Sequence, residues 1–112
     1  MPTRLPLGDE AILDIRKIKD YCLNAAHPRG RHKARVFREA LNLQGKDASW
    51  LRAVLLEAAR SGKAVQVGED AWGTYWRLDV TVRRQGKTAV VRTIWIARTG
   101  DSVPRFVTCW VL

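Results

Sequence analysis

The spacing of apolar residues changes partway along the chain, and this change limits the possible folds more than any other feature. Up to Ser61, apolar side chains recur at three- and four-residue steps, the repeat of one helix face. From Lys63 onward Val, Thr, Trp, Tyr and Ile dominate, and each gap holds a glycine or a proline, as strands joined by turns require. Helices gathered ahead of strands predict an α+β architecture in which about three N-terminal helices pack on a four-stranded antiparallel meander sheet.

A chain of 112 residues, 46% hydrophobic, suits one core, so residues 1–112 read as a single domain. Its parts are an extended arm over 1–8, a helical half over 9–62 and a sheet over 63–112. Ile12, Ile15, Ile18 and Cys22 predict an amphipathic helix over 9–23. The His27-Pro28 step and Gly30 interrupt it, and a second helix starts near Arg31 with Ala34, Phe37, Ala40 and Leu41 on one face. Asp47 is the expected N-cap of a third helix, with Leu51, Val54, Leu55 and Ala58 buried and Ser61-Gly62 as the stop. The strands are expected over 64–68, 75–83, 88–98 and 105–112.

The register between the second and third of these strands depends on their turn. A three-residue loop over 84–86, with Gly86 at positive φ, predicts one sheet face displaying Tyr75, Arg77, Asp79, Thr93, Trp95, Thr108 and Trp110. A two-residue loop would reverse the assignment. A face of this kind stacks bases and binds phosphates; alternatively, Trp95 and Trp110 only cover the sheet as core residues.

Twenty Lys plus Arg against eleven Asp plus Glu give a formal charge of +9, which favours a polyanionic partner such as nucleic acid. No apolar run approaches the length that spans a bilayer, and residues 1–8 lack the pattern of an export signal, so a cytoplasmic protein with no membrane partner is expected. Cys22 and Cys109 lie far apart inside apolar runs and read as reduced core residues; no metal site and no cofactor is expected.

Positive charge concentrates in His27-Pro28-Arg29-Gly30-Arg31-His32-Lys33-Ala34-Arg35, at the start of the second helix. Free N–H groups and the helix dipole already make such a start positive, and added cations make sense when an anion docks there. His27 can exchange a proton near neutral pH, and Lys33 can hold charge developing on phosphoryl oxygens. That pair is the minimal equipment for metal-independent RNA cleavage through the 2′-hydroxyl. Arg29, Arg31, His32 and Arg35, with Arg77, Trp95 and Trp110 from the sheet, are the expected substrate-binding residues. A carboxylate cluster for Mg²⁺ is lacking, since Glu69-Asp70 falls at a turn and Asp79 stands alone.

The segment Tyr21-Cys22-Leu23-Asn24, the pattern His27-Pro28-x-Gly30-x-x-Lys33-Ala34-x-x-Phe37, a Trp95-containing strand and the ending Pro104-Arg105-Phe106-Val107-Thr108-Cys109 resemble a family of small bacterial domains. These occur alone, in toxin–antitoxin pairs, and at the C-terminal ends of polymorphic-toxin and phage head-associated proteins. The order of helices and strands is also similar to the barnase, EndoU, colicin and RelE-like group of metal-independent RNases. The resemblance implies an endoribonuclease toxin with His27 as acid–base residue, Lys33 or an arginine on the phosphate, and Thr93 or Thr108 contacting it from the sheet. An acidic antitoxin or immunity protein would then be a partner, and delivery as part of a larger toxin an alternative to a cytoplasmic life. The competing expectation is a module that binds nucleic acid or protein through the same basic surface without chemistry, or the immunity or adaptor member of a pair.

Overall fold

The structure, a computed structural model, describes residues 3–112. Strand β1 (Thr3–Arg4) is followed by α1 (Ile15–Lys17), which runs on into a π-helical turn (Ile18–Cys22), then α2 (Arg31–Leu41) and α3 (Ala48–Ser61). Strands β2 (Lys63–Asp70), β3 (Gly73–Arg84), β4 (Lys87–Arg98) and β5 (Pro104–Val111) complete the chain. The sheet is antiparallel and has five strands in the order β1-β2-β3-β4-β5, not the expected four. The additional strand comes from the arm: Thr3 pairs with Ala64 and Arg4 with Lys63, after which Leu5 drops into the core. Two residues are too few for any periodic signal. Met1 and Pro2, the first part of the expected arm, lie outside the described residues.

The helix expected over 9–23 begins later, at Asp14, whose carboxylate accepts the Arg16 N–H at 3.0 Å. Before it, Gly8–Glu10 form a short 3-10 turn and Ile12 pairs with the sheet. The Ile12 N–H donates to the Pro104 carbonyl at 2.9 Å and the Phe106 N–H donates to that of Ile12 at 2.8 Å, a parallel bridge along the outer edge of β5. Two backbone hydrogen bonds to the sheet outweigh the helical spacing of Ile12.

The β3–β4 turn has two central residues, Gln85 and Gly86, at φ 50° and 78°, between paired Arg84 and Lys87. This is the twist-matched hairpin geometry, positive φ at both positions. Glutamine is an unusual occupant, and its side chain is held at 2.6 Å by Asn42 Nδ2 from the end of α2. The expected three-residue loop is therefore overturned, and the register with it: Leu78 lies opposite Thr93, and Trp76 opposite Trp95.

Thr93 and Trp95 consequently face the helices, both fully buried, and leave the surface expected to display them. Trp95 packs edge-to-face on Phe106, with centroids 5.4 Å apart. Its indole N–H donates to Thr93 Oγ1 at 2.8 Å, and the threonine hydroxyl donates to the Leu78 carbonyl at 2.6 Å. An irregularity in β5 opposite Ile94 and Trp95 sets Thr108 against Ile94 and Phe106 against Trp95, so Phe106 and Cys109 are both buried, contrary to simple alternation. Phe37, Leu41, Leu51, Leu55, Ile18, Leu78 and Val82 fill the layer between helices and sheet. Arg84 ties the far end of β3 to α3 through Asp47 at 3.1 Å and lies 4.7 Å from the Trp50 ring centroid.

The chain Trp95–Thr93–Leu78 is a polar path through this core, and breaking it strands the indole N–H. Thr93→Val should lower unfolding free energy by about 1–3 kcal/mol, read as a lower denaturant midpoint at unchanged slope. Full stability in that variant would show that the indole finds another acceptor.

Candidate functional site

The site is assembled by the turn that connects the π-helical segment to α2. His27 accepts two backbone N–H groups at its Nδ1, from Arg29 and from Gly30, each at 3.0 Å. Its own carbonyl accepts the Arg31 N–H at 2.9 Å. The imidazole thus serves the start of α2 as an aspartate or serine would. Gly30 is required by close approach, because a Cβ there would collide with the Tyr21 carbonyl oxygen. The Tyr21 ring meets His27 edge-on, with centroids 4.8 Å apart.

This geometry limits the chemistry of His27. With the Nδ1 lone pair facing two N–H donors, the ring proton of the neutral imidazole sits on Nε2. For Nε2 to accept a proton, Nδ1 would have to carry one too and give up both backbone hydrogen bonds. In this orientation the His27 ring holds the loop at the start of α2, where the sequence suggested an acid–base group.

Lys33, in the first turn of α2, reaches the edge strand. Its Nζ donates to Thr108 Oγ1 at 3.0 Å and lies 5.0 Å from the Tyr21 ring centroid and 5.3 Å from that of Trp110. The ammonium is held by one hydroxyl and two aromatic faces, with no ion pair among the described residues. Behind Thr108, Cys22 Sγ stands 3.8 Å from Oγ1, and the Cys22 and Cys109 thiols are both free and buried. The hydrogen bond from Cys109 pulls the Cys22 thiol down to about 6 against the opposing effect of burial, and the Thr108 hydroxyl and Lys33 charge act in the same direction. The same hydrogen bond, with burial, pushes Cys109 well above the ordinary thiol range. The two thiols are thus shifted in opposite directions, Cys22 down and Cys109 up.

Tyr21, Thr108 and Trp110 therefore gather around Lys33, and the Tyr21 ring also meets His27; Tyr21 and Cys22 were not among the site residues the sequence suggested. His32 is exposed beside Lys33, in a shallow depression of about 470 Å³ lined with Val36, Trp110 and Val111. On the other side of His32 a groove of about 880 Å³ runs between α2 and the 19–26 segment, with Arg31 and Arg35 on its wall. Arg29 is exposed in the loop, its N–H bound to His27. Arg77 lies between Val65 and Ile94 in the sheet, away from the cluster, and Thr93 and Trp95 are in the core. Among the described residues, no three His, Cys, Asp or Glu side chains converge as a metal site, and no helix is long and apolar enough to cross a membrane.

The thiol pair makes a direct prediction: ultraviolet titration should reveal one thiolate ionising at about 6. Cys22→Ala should abolish that step, and Lys33→Ala should move it upward by removing a nearby positive charge. A protein showing no thiolate below pH about 8 would mark Cys22 as an ordinary thiol.

Among curated proteins no sequence matches this chain. A solved structure described as a contact-dependent growth inhibition toxin–immunity protein complex from Klebsiella pneumoniae 342 contains a chain of similar fold. The TM-score is 0.67 at 15% identity, covering 90% of this chain and 99% of that one. At this identity the likeness is one of fold. A family model described as "Domain of unknown function (DUF6883)" matches residues 4–112, nearly the whole length. The chain belongs to the DUF6883 family.

Proposed function

We propose that this domain is an RNA-cleaving toxin that works without a metal ion, at the depression where His32, Lys33 and Trp110 meet. The observation behind this reading is the Lys33 ammonium, fixed by Thr108 and by the rings of Tyr21 and Trp110 with no ion-pair partner among the described residues. A cation so placed suits a phosphodiester oxygen, whose negative charge grows as the adjacent 2′-hydroxyl attacks phosphorus. The Trp110 face offers a stacking surface for a neighbouring base. His32, exposed beside it and with no hydrogen-bond partner among the described residues, takes the 2′-hydroxyl proton; the 5′-oxygen departs with a proton from solvent, leaving a 2′,3′-cyclic phosphate.

Two further facts support the toxin side of the reading. The structural neighbour comes from a toxin–immunity complex, and the formal charge of +9 suits both an RNA substrate and an acidic immunity partner. A binding module without chemistry is the second reading, favoured by the commitment of His27 Nδ1 to the loop, which leaves one histidine ring for proton transfer.

Incubating the purified domain with labelled RNA in EDTA separates the two. His32→Ala should slow cleavage by about 10²-fold or more, and Lys33→Ala should do likewise. His27→Asn, whose amide oxygen can still accept the loop N–H groups, should retain most activity. RNA left intact by the wild-type protein would favour the binding module, and equal loss in His27→Asn and His32→Ala would return the proton transfer to His27.

A further inference from the structure

The exposed face of α2 has a charge pattern that the pocket at Lys33 does not use. Arg31, Arg35 and Arg38 follow one another at i, i+4 and i+7, so they share a face, and all three are exposed. Among the described residues, none forms an ion pair, whereas Arg16, Arg60, Arg84, Arg92 and Arg105 each do. Like charges one turn apart destabilise a helix, and Glu39, the one acidic residue of α2, borders the row at i+4 from Arg35 yet forms no ion pair with it among the described residues. The energetic cost of the row is met when an anion lies along it.

The three arginines also stand over a shaped surface. They form one wall of the groove of about 880 Å³, with Lys19 on the opposite side and one carboxylate, Asp20, beside it. The buried side chains of Leu23, Ala34 and Leu43 make an apolar floor, and Ala25 and Ala26 line the near rim. Arg31 to Arg38 covers about 10 Å of helix axis, enough for about three phosphates at a stacked spacing of roughly 3.4 Å per nucleotide. His32 lies in this groove and in the depression at Lys33, so the two are continuous across the first turn of α2.

We infer that this groove is the track for a single strand of nucleic acid, its phosphates on Arg31, Arg35 and Arg38 and its sugars and bases on the apolar floor. The strand then crosses α2 at His32 and enters the depression at Lys33. The direction of the strand as substrate rests on the proposed cleavage, but its seat in the groove does not. A single strand fits better than a duplex, because the rims formed by α2 and the 24–26 loop stand on both sides of the floor.

The test uses a fluorescent single-stranded oligonucleotide with 2′-O-methyl ribose throughout, which 2′-hydroxyl attack cannot cleave, so binding is read even if the domain is no nuclease. Anisotropy across a salt series should show that Arg31→Ala/Arg35→Ala/Arg38→Ala lowers the slope of log affinity against log salt by about 2. Replacing the exposed Lys63, Arg83 and Arg98 by alanine removes the same formal charge elsewhere and should leave that slope nearly unchanged. Ala26→Trp fills the groove without altering charge; it should weaken binding at least tenfold with the slope retained. Equal losses in the two triple variants would reduce the effect to overall charge and overturn the track. So would tight binding by Ala26→Trp, or preference of the wild type for a duplex of the same length. Failure of cleavage with these binding results intact would remove the nuclease reading and leave the track standing.

Discussion

The two backbone N–H groups that converge on His27 Nδ1 fix where α2 begins, and the location of the α2 residues at the site follows from that beginning. Because the acceptor is a neutral ring, the helix start is satisfied without the carboxylate usually found there. The first turn therefore keeps its positive field, to which Arg31, Lys33 and Arg35 add. Gly30 seats the turn against the Tyr21 carbonyl, bringing the tyrosine ring beside both His27 and Lys33. Displacing this turn would move the ammonium away from Thr108, so packing and electrostatics at the site are linked.

The other half of the arrangement is supplied by the edge of the sheet. An interior strand would be flanked on both sides, whereas β5 has one open side that a long helical side chain can reach. The segment around Ile12 occupies part of this edge at Pro104 and Phe106, and Lys17 Nζ donates to the Phe106 carbonyl at 2.9 Å. Thr108 lies just beyond that covered stretch and is met by Lys33 and Cys22. The irregularity at Val107 turns Phe106 inward toward Trp95 while Thr108 is available to α2.

Much of the architecture was legible in residue spacing, and the departures have physical causes. The periods of Phe37 and Leu41 in α2, and of Leu51 and Leu55 in α3, mark faces that are buried. The two-residue strand β1 gave no periodic signal, and Gln85 lacks the Asn-Gly signature because Asn42, distant in sequence, holds its side chain. That turn reversed the register and took Thr93 and Trp95 from the expected surface into the core. Their hydrogen bond explains how a polar side chain is tolerated there. His27, Lys33, Thr108 and Trp110 were selected by residue type, and the structure brings them together; the bond that commits His27 is a matter of ring orientation, which sequence does not encode. The meeting of Cys22 with Cys109 depends on tertiary packing between elements at opposite ends of the chain.

The opposite margin of the sheet shows how such a protein avoids indefinite growth by strand addition. Among the described residues β1 pairs with Lys63 and Ala64 of β2, and no other strand pairs with the outer side of β2 toward Asp70. The pairing with β3 shifts register between Gln66 and Gly68, and Glu69 and Asp70 close the strand with negative charge. A kinked, charge-terminated border is a poor template for another chain. The long hairpins can thus remain regular at the centre of the sheet, because the guard against stacking copies side by side is built into its rim.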